Sequence, residues 1–294
     1  MRVLVIGNPI AGLGQSEKRI HEFGRALERK GHHIEVFLTG KAGDAFERAR
    51  LIDETVDRLV VAGGDGTVNE VLNGLTDPSR IPLLHLPTGT ANQLARTLGL
   101  PYNPEALVTI LEQGNTRRID MGLANGRRFL LLVSAGFDAR VAAEVQKVRN
   151  GKLGYTGYAL PLLKAAAEHC SPPLQVVLDG RNKISGCNVM VLKVRRYGGV
   201  LVFAEDASLD SGHFDVCVFR DGSRSRILLY ALAGLVRRAS DVPGLIRLTA
   251  RHVRIESQQP VPIEIDGDYF GNTPVDIEIV PSVLPMIVPR AADS

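Results

Sequence analysis

The chain has 294 residues, 45% of them hydrophobic and 5% aromatic, with 35 Lys and Arg against 32 Asp and Glu for a formal net charge of +3. This length sets one or two domains that bury roughly three-quarters of the unfolded surface, so neither a disulfide framework nor a metal staple is needed for stability. So small a charge, with basic residues not interleaved with aromatics, excludes nucleic-acid binding by bulk electrostatics, and Cys170, Cys187 and Cys217, odd in number and widely spaced, read as buried thiols of a reducing compartment.

Arg2 to Ile6 form an apolar strand directly after Met1, without the apolar core and small-residue cleavage site of a secretory signal, which predicts cytoplasmic residence. The strand runs into Gly7-Asn8-Pro9-Ile10-Ala11-Gly12-Leu13-Gly14, a flexible turn, and then a helix with Ile20, Phe23 and Leu27 on one side. The turn lacks the lysine of a G-x-x-x-x-G-K phosphate loop and the spacing of a G-x-G-x-x-G fingerprint, which disfavours dinucleotide oxidoreductase chemistry. His32-His33 lies between this helix and the next strand, His85 and His169 lie in apolar patterns, and none of the seven histidines has metal-ligand spacing.

Leu59 to Ala62 is a short β-rich run of the buried parallel kind, and Val68, Val71, Leu72 and Leu75 mark one face of a helix. Between them lies Gly63-Gly64-Asp65-Gly66-Thr67, a strand-to-helix turn. Its glycines allow close backbone approach to a ligand, and the helix N-terminus offers unpaired N–H groups to phosphate oxygens. A carboxylate among such amides repels phosphate unless it holds Mg²⁺ or takes a proton from an attacking hydroxyl, which singles out Asp65. A tight Gly-Asp-Gly turn capped by Thr67 is the plainer reading of the tripeptide alone. Ile81 to Leu86 then leads into Pro87-Thr88-Gly89-Thr90-Ala91-Asn92 and a helix carrying Leu94, Ala95 and Leu98. Thr88, Thr90 and Asn92 offer hydroxyl and amide groups to a nucleotide, although Thr90 by itself reads as a helix cap. Parallel strands would bring these turns to the same carboxyl edge of one sheet.

Strand and helix patterns alternate to about Asp120, after which strand-like runs dominate: Arg127 to Val133, Leu174 to Leu178, Asn188 to Val194, Asp215 to Phe219 and Val253 to Ile255. The first part, residues 1–120, reads as a parallel α/β layer domain, and residues 121–294 as an antiparallel β-sandwich or barrel carrying a few helices. Phe129 to Phe137 and Ile227 to Val236 fall short of the roughly 20 residues that span a bilayer, so any membrane contact is peripheral. Ile227, Leu228, Tyr230, Ala231 and Leu235, flanked by Arg224, Arg226, Arg237 and Arg238, read as a core helix with arginine ends, or else as an interfacial helix meeting anionic headgroups. Tyr155 to Cys170 poses the same question, with Tyr158, Leu162, Ala165 and Ala166 on one face. Residues 290–294 read as a loose tail.

Near the end, Asp266 and Asp268 lie two apart in Glu264-Ile265-Asp266-Gly267-Asp268, so in a strand both point to one face, as a metal pair does. The alternative is an Asp-Gly-Asp hairpin turn between Val261 to Ile265 and Val275 to Val280. Phosphoryl transfer to an alcohol needs a cation over the phosphates, a base and in-line placement. Asp65 and Asp268 are the candidates for base and metal ligand, with the assignment between them open.

Asn8-Pro9 with its glycines, Gly63 to Thr67, Pro87 to Asn92, Ala204 to Asp215 and Glu264 to Asp268 together resemble the diacylglycerol kinase catalytic-domain family, which includes bacterial lipid kinases and sphingoid-base kinases. The resemblance covers essentially the whole chain. It implies an NAD-kinase-like α/β ATP domain and a β-rich lipid-substrate domain with a cleft between them, ATP and Mg²⁺, and transfer of the γ-phosphoryl group to the hydroxyl of diacylglycerol, a sphingoid base or a related lipid alcohol at a membrane surface. Carried over by position, Asn8, Thr39, Gly63, Gly64, Asp65, Gly66, Thr67, Asn69 and Thr90 would line ATP, Asp65 would face metal and phosphates, and Asp268 would be the general base; Asp266 is a metal candidate by its spacing from Asp268. Three positions depart from the family pattern: Asp268 stands where glutamate is usual, Gln93 where bacterial members commonly have aspartate, and Asp210-Ser211-Gly212 replaces the second acidic residue of the structural Mg²⁺ loop, leaving Asp210 as its carboxylate. Rival readings are an NAD kinase, which shares the Gly-Gly-Asp-Gly-Thr turn but has a different segment at Gly89 to Asn92, and a nucleotide- or lipid-binding protein that has lost catalysis. A homo-oligomer stays open.

Overall fold

The computed structural model describes residues 1–12, 14–148 and 172–290; Tyr155 to Cys170 and the tail from residue 291 lie outside them. Two compact units emerge, Met1–Ile119 with Ser282–Ser294, and Asp120–Pro281. The expected second domain ran on to residue 294, whereas the last strand carries the chain back into the first unit.

In the first unit the elements alternate: β1 (Arg2–Gly7), α1 (Ser16–Arg29), β2 (His33–Leu38), α2 (Asp44–Arg50), β3 (Arg58–Gly63), α3 (Asp65–Gly74), β4 (Leu83–Pro87), α4 (Gln93–Thr97) and α5 (Pro104–Gln113). β2, β1, β3 and β4 pair in that order, all parallel. Apolar runs such as Leu59–Ala62 and Leu83–Leu86 are wholly buried, as a sheet covered on both faces requires. Ile20, Phe23 and Leu27, spaced at three and four, are buried on α1.

The second unit is built from the end of β5 (Asn115–Ala124), β6 (Arg127–Phe129), β7 (Leu132–Ala135), α6 (Phe137–Val148), β8 (Leu174–Leu178), β9 (Asn182–Gly186), β10 (Asn188–Leu192), β11 (Arg196–Tyr197), β12 (Leu201–Val202), β13 (Phe214–Phe219), α7 (Arg224–Leu235), β14 (Leu245–Ala250), β15 (His252–Ser257), β16 (Pro262–Ile265), β17 (Asp268–Asn272) and the start of β18 (Val275–Val288). β14, β13, β10, β7, β16 and β17 form one antiparallel sheet, and β18, β15, β8 and β9 pair antiparallel in another. One core gathers Val189, Val191, Val216 and Val218 with Val176, Leu178, Val253, Ile255 and Ile277, side chains of both sheets, which makes the unit a β-sandwich. Alternate residues of the same strands, Met190, Leu192, Cys217 and Phe219, point the other way and pack with Phe203, Tyr230 and Ala233. β18 also ends the first unit, with Met286 beside Leu83 of β4 in parallel register. The fold is therefore the parallel α/β layer followed by the antiparallel sandwich that the sequence pattern predicts.

Two strand expectations are corrected. Arg127 to Val133 is divided into β6 and β7, because Leu130, Leu131 and Leu132 donate their amides to the Asp266 carboxylate. The partner of β16 is β17, not residues 275–280, and Asp266 and Gly267 are the two loop residues, with φ of +50° and +98°. Positive φ at both positions is the geometry of a type I′ hairpin.

Candidate active site

The turns of the first unit lie at the carboxyl ends of parallel strands, the edge where open α/β sheets hold ligands. Asn8 follows β1, Thr39 follows β2, Gly64 follows β3 and Thr88 follows β4. They touch through backbone. A Cβ on Gly89 would lie 2.4 Å from Cα of Gly64, and one on Gly12 would lie 2.3 Å from the Thr88 carbonyl oxygen, where Gly12 also has φ of +61°. Only glycine permits these approaches. The Thr88 and Gly89 amides both donate to the Gly63 carbonyl, at 2.9 and 3.2 Å, and Asn8 N–H donates to the Ala62 carbonyl at 2.8 Å. Buried Ser16, opening α1, ties the turn after β1 to the turn after β4: its hydroxyl lies 2.6 Å from the Asn8 carbonyl and 2.8 Å from Thr88 Oγ1. By contrast, a Cβ on Gly66 meets nothing within 4 Å, so the first turn of α3 faces open space. Thr90 is exposed, while Thr67 and Asn69 are buried.

Asp65 begins α3, and its carboxylate reaches across to accept the amides of Gln93 at 2.9 Å and Leu94 at 3.0 Å. It thereby supplies the cap of α4, whose own N-cap residue, Asn92, directs its side chain to Gly89. The capping expected of Thr67 and Thr90 is absent: Gly64 precedes α3 without a side-chain cap, and Asn92, not Thr90, precedes α4. Beneath the turn, buried His85 lies with Nε2 3.1 Å from the Gly63 carbonyl, so Nε2 carries the proton, and Nδ1 has no partner among the described residues. Burial lowers its pKa, against the nearby Asp65 charge.

In the second unit, Asp266 accepts amides from Leu130 at 3.0 Å, Leu131 at 2.8 Å and Leu132 at 3.0 Å. This carboxylate clamps backbone, and in the turn it does not share a strand face with Asp268, so the geometry expected of a metal pair is not formed. Asp268 is half-buried at the first position of β17, opposite Ile265. Asp210 is exposed, its carboxylate 2.5 Å from Ser208 Oγ. Beside it, the ammonium of fully buried Lys193 bonds Asp120 at 2.7 Å and both the Ser211 hydroxyl and the His213 carbonyl at 2.9 Å. A lysine cation thus fills the 208–213 loop. Burial works to lower its pKa, and the Asp120 carboxylate counters. Among the described residues, no three His, Cys, Asp or Glu side chains gather into a metal cage.

Sequence reasoning missed a second buried acid cluster. Glu264 Oε2 accepts from Ser134 Oγ at 2.6 Å and Oε1 from Gly267 N–H at 2.7 Å, which ties the cluster to the Asp266-Gly267 turn. Burial first, and then the Asp138 carboxylate, push the Glu264 pKa well above its ordinary value. Asp138 Oδ2 is buried without a hydrogen-bond partner among the described residues, while Tyr197 O–H bonds the other Asp138 oxygen. The signal was present in sequence: Lys193 and Glu264 are charged residues inside apolar strand runs, which require buried partners.

An amide-rich rim of glycine turns suits phosphate oxygens, and the two halves of the chain match known domains. Residues 2–124 match the diacylglycerol kinase catalytic domain and residues 131–288 the YegS C-terminal NAD kinase beta sandwich-like domain. This chain belongs to the diacylglycerol kinase catalytic-domain family. It is 28% identical over 280 residues to the diacylglycerol kinase of Staphylococcus carnosus strain TM300, covering 94% of this chain and 91% of that relative. Identity to the diacylglycerol kinase of Staphylococcus aureus strain MRSA252 is 27% over 281 residues, 94% and 88% of the two chains. A Bacillus anthracis str. Sterne protein provisionally described as a diacylglycerol kinase has a crystal structure that superposes with a TM-score of 0.82 at 26% identity, covering 98% of this chain and 95% of that one. A further crystal structure, of a diacylglycerol kinase from the same strain, shares the family fold with a TM-score of 0.76 at 24% identity, covering 98% and 97%.

Proposed function

We infer that this chain is an ATP-dependent lipid kinase, and that diacylglycerol is the first lipid alcohol to test, because the similar Staphylococcus proteins carry that name. The observation carrying the nucleotide half is the backbone contact of the Gly12, Gly64 and Gly89 turns at the strand ends. Phosphates rest on the amides of Gly64 to Gly66 beside the open space at Gly66, with Asn8, Thr39, Thr67, Asn69 and Thr90 around the nucleotide. Asp65 holds α4 against this rim. Its carboxylate, already bonded to two amides, positions the site, and Asp268 takes the proton of the lipid hydroxyl as that oxygen attacks the γ-phosphorus and ADP departs.

The protein offers no cage for a divalent ion among the described residues, which fits Mg²⁺ carried by the nucleotide, since such ions use one or two carboxylates plus phosphate oxygens. Asp65 is the residue that would hold it, and Mg²⁺ would neutralise developing phosphate charge. With Lys193 in the 208–213 loop, no second Mg²⁺ is needed there. The lipid hydroxyl is met at a bilayer surface by peripheral contact.

Incubation of the protein with γ-labelled ATP, Mg²⁺ and diacylglycerol is the test. A labelled organic-soluble product is expected, with Asp268→Ala lowering turnover by about 10²-fold or more and Asp268→Glu retaining activity. Wild-type turnover in Asp268→Ala moves the base elsewhere. Labelled NADP from NAD, or ATP protection against heat without product, replaces the kinase reading by an NAD kinase or a binder.

A further inference from the structure

From Ile227 onward α7 is apolar around its whole circumference, yet only one side is covered by the described residues. Tyr230, Ala233 and Gly234 are buried against Phe203, Phe219 and Leu201. On the other side, Leu228 is 61% exposed, Leu232 53%, Leu235 56% and Val236, just past the helix end, 63%, with Leu229 beside them at 41%. Positions 228, 232, 235 and 236 follow helical spacing, so these side chains form one stripe. Soluble surfaces do not leave such a stripe uncovered without use. The charges sit at its ends. Residues 220–241 contain five arginines, at 220, 224, 226, 237 and 238, against two aspartates, at 221 and 241. Asp221 lies 3.5 Å from Arg226 and Asp241 2.7 Å from Arg238, and the arginines outnumber the aspartates around the leucines.

We propose that the outer face of α7 docks the protein on a lipid surface bearing anionic headgroups, with Leu228, Leu232, Leu235 and Val236 entering the acyl boundary and the arginines at headgroup level. An apolar stripe bracketed by cations is the pattern of a helix lying flat in an interface. A second copy fits worse: two α7 helices packed antiparallel about a twofold axis would set Arg224 and Arg226 of one against Arg237 and Arg238 of the other, like charge on like charge. The core-helix reading of this segment accounts for Tyr230 and Ala233 but not for the leucines. The proposal rests on the lipid-kinase reading for its biological use, but not for its test.

Vesicle co-sedimentation tests it, with phosphatidylglycerol–phosphatidylcholine vesicles, phosphatidylcholine vesicles and the double variant Leu228→Glu/Leu232→Glu. Both residues are exposed and lie outside the nucleotide and base positions, so the variant keeps its melting temperature and its turnover of monomeric short-chain diacylglycerol. The wild type is expected to bind the anionic vesicles, to lose binding at high salt and on neutral vesicles, and to bind at least about tenfold better than the variant. Equal binding of the two proteins, or none by the wild type, overturns the proposal. So does a wild-type dimer in light scattering that the variant converts to monomer, because the face is then a subunit interface. Leucine-dependent vesicle binding without lipid phosphorylation supports the docking face and sinks the kinase reading instead.

Discussion

At the scale of single residues, the carboxylates divide into those that hold backbone and those left for chemistry, and position in sequence does not distinguish them. Asp65 and Asp266 read alike, each beside glycine in a turn. Asp266 clamps the amides of Leu130 to Leu132, whereas Asp65 caps α4 at the rim where phosphate is expected. Glu264 is different again, a buried acid whose pKa is pushed well up by burial and the Asp138 carboxylate. A carboxyl whose folded pKa is raised leaves stability full below the unfolded value, 4.5 here, and stability falls as pH climbs from there toward the folded value, because the unfolded chain ionises first. Glu264→Gln retains a donor toward Asp138 and has no proton to lose. The variant is expected to lose less melting temperature than the wild type as pH climbs above the unfolded value of 4.5. Parallel curves would show that Glu264 is not the proton holder. Cys217, with its thiol pushed up to about 12 by burial, stays out of any such chemistry.

At the scale of elements, the glycine turns carry two separable demands, contact with each other and room for a ligand. A Cβ at Gly89 strikes the Gly64 backbone at 2.4 Å, so Gly89→Ala must part β3 from β4 at their ends; a loss of several kcal/mol and of ATP binding is expected. Gly66→Ala meets no protein atom within 4 Å and sits in helix, where alanine is the better former. Its melting temperature should hold or rise while ATP affinity drops about tenfold or more, the added methyl standing where phosphate approaches. Thermal melting and nucleotide titration on the two variants read these effects. A Gly66→Ala protein that binds ATP normally would place the cradle elsewhere. The glycines and their strand-to-helix context were legible in sequence because both are local. That Asp65 rather than Thr90 caps the helix after β4 was not, since the carboxylate and the amides it takes are 28 and 29 residues apart.

At the scale of the whole molecule, β18 belongs to both compact units, and its last turn of chain completes the first. Leu284 and Met286 are fully buried there and Ile287 nearly so. A chain ending at Pro281 loses these three core side chains and the buried Val288, each of the three worth roughly 2–5 kcal/mol, a sum comparable with the stability of an entire domain. Residues 1–119 are therefore expected to become protease-sensitive in that truncation, while 120–281 resist; equal resistance of both segments would refute the accounting. Sequence alone determined the class of each half, the apolar strands, the amphipathic helices and the three glycine turns, because alternation, helical spacing and freedom at φ are properties of neighbouring residues. Only the tertiary structure decided where the final strand returns, why residues 127–133 break into two strands and which buried charges find each other. Asp120 and Lys193 are 73 residues apart and Ser134 and Glu264 are 130 apart, and nothing in the local pattern selects such partners. They are chosen by the cost of an unpaired charge in a packed interior, which exists only once the sandwich has closed around them.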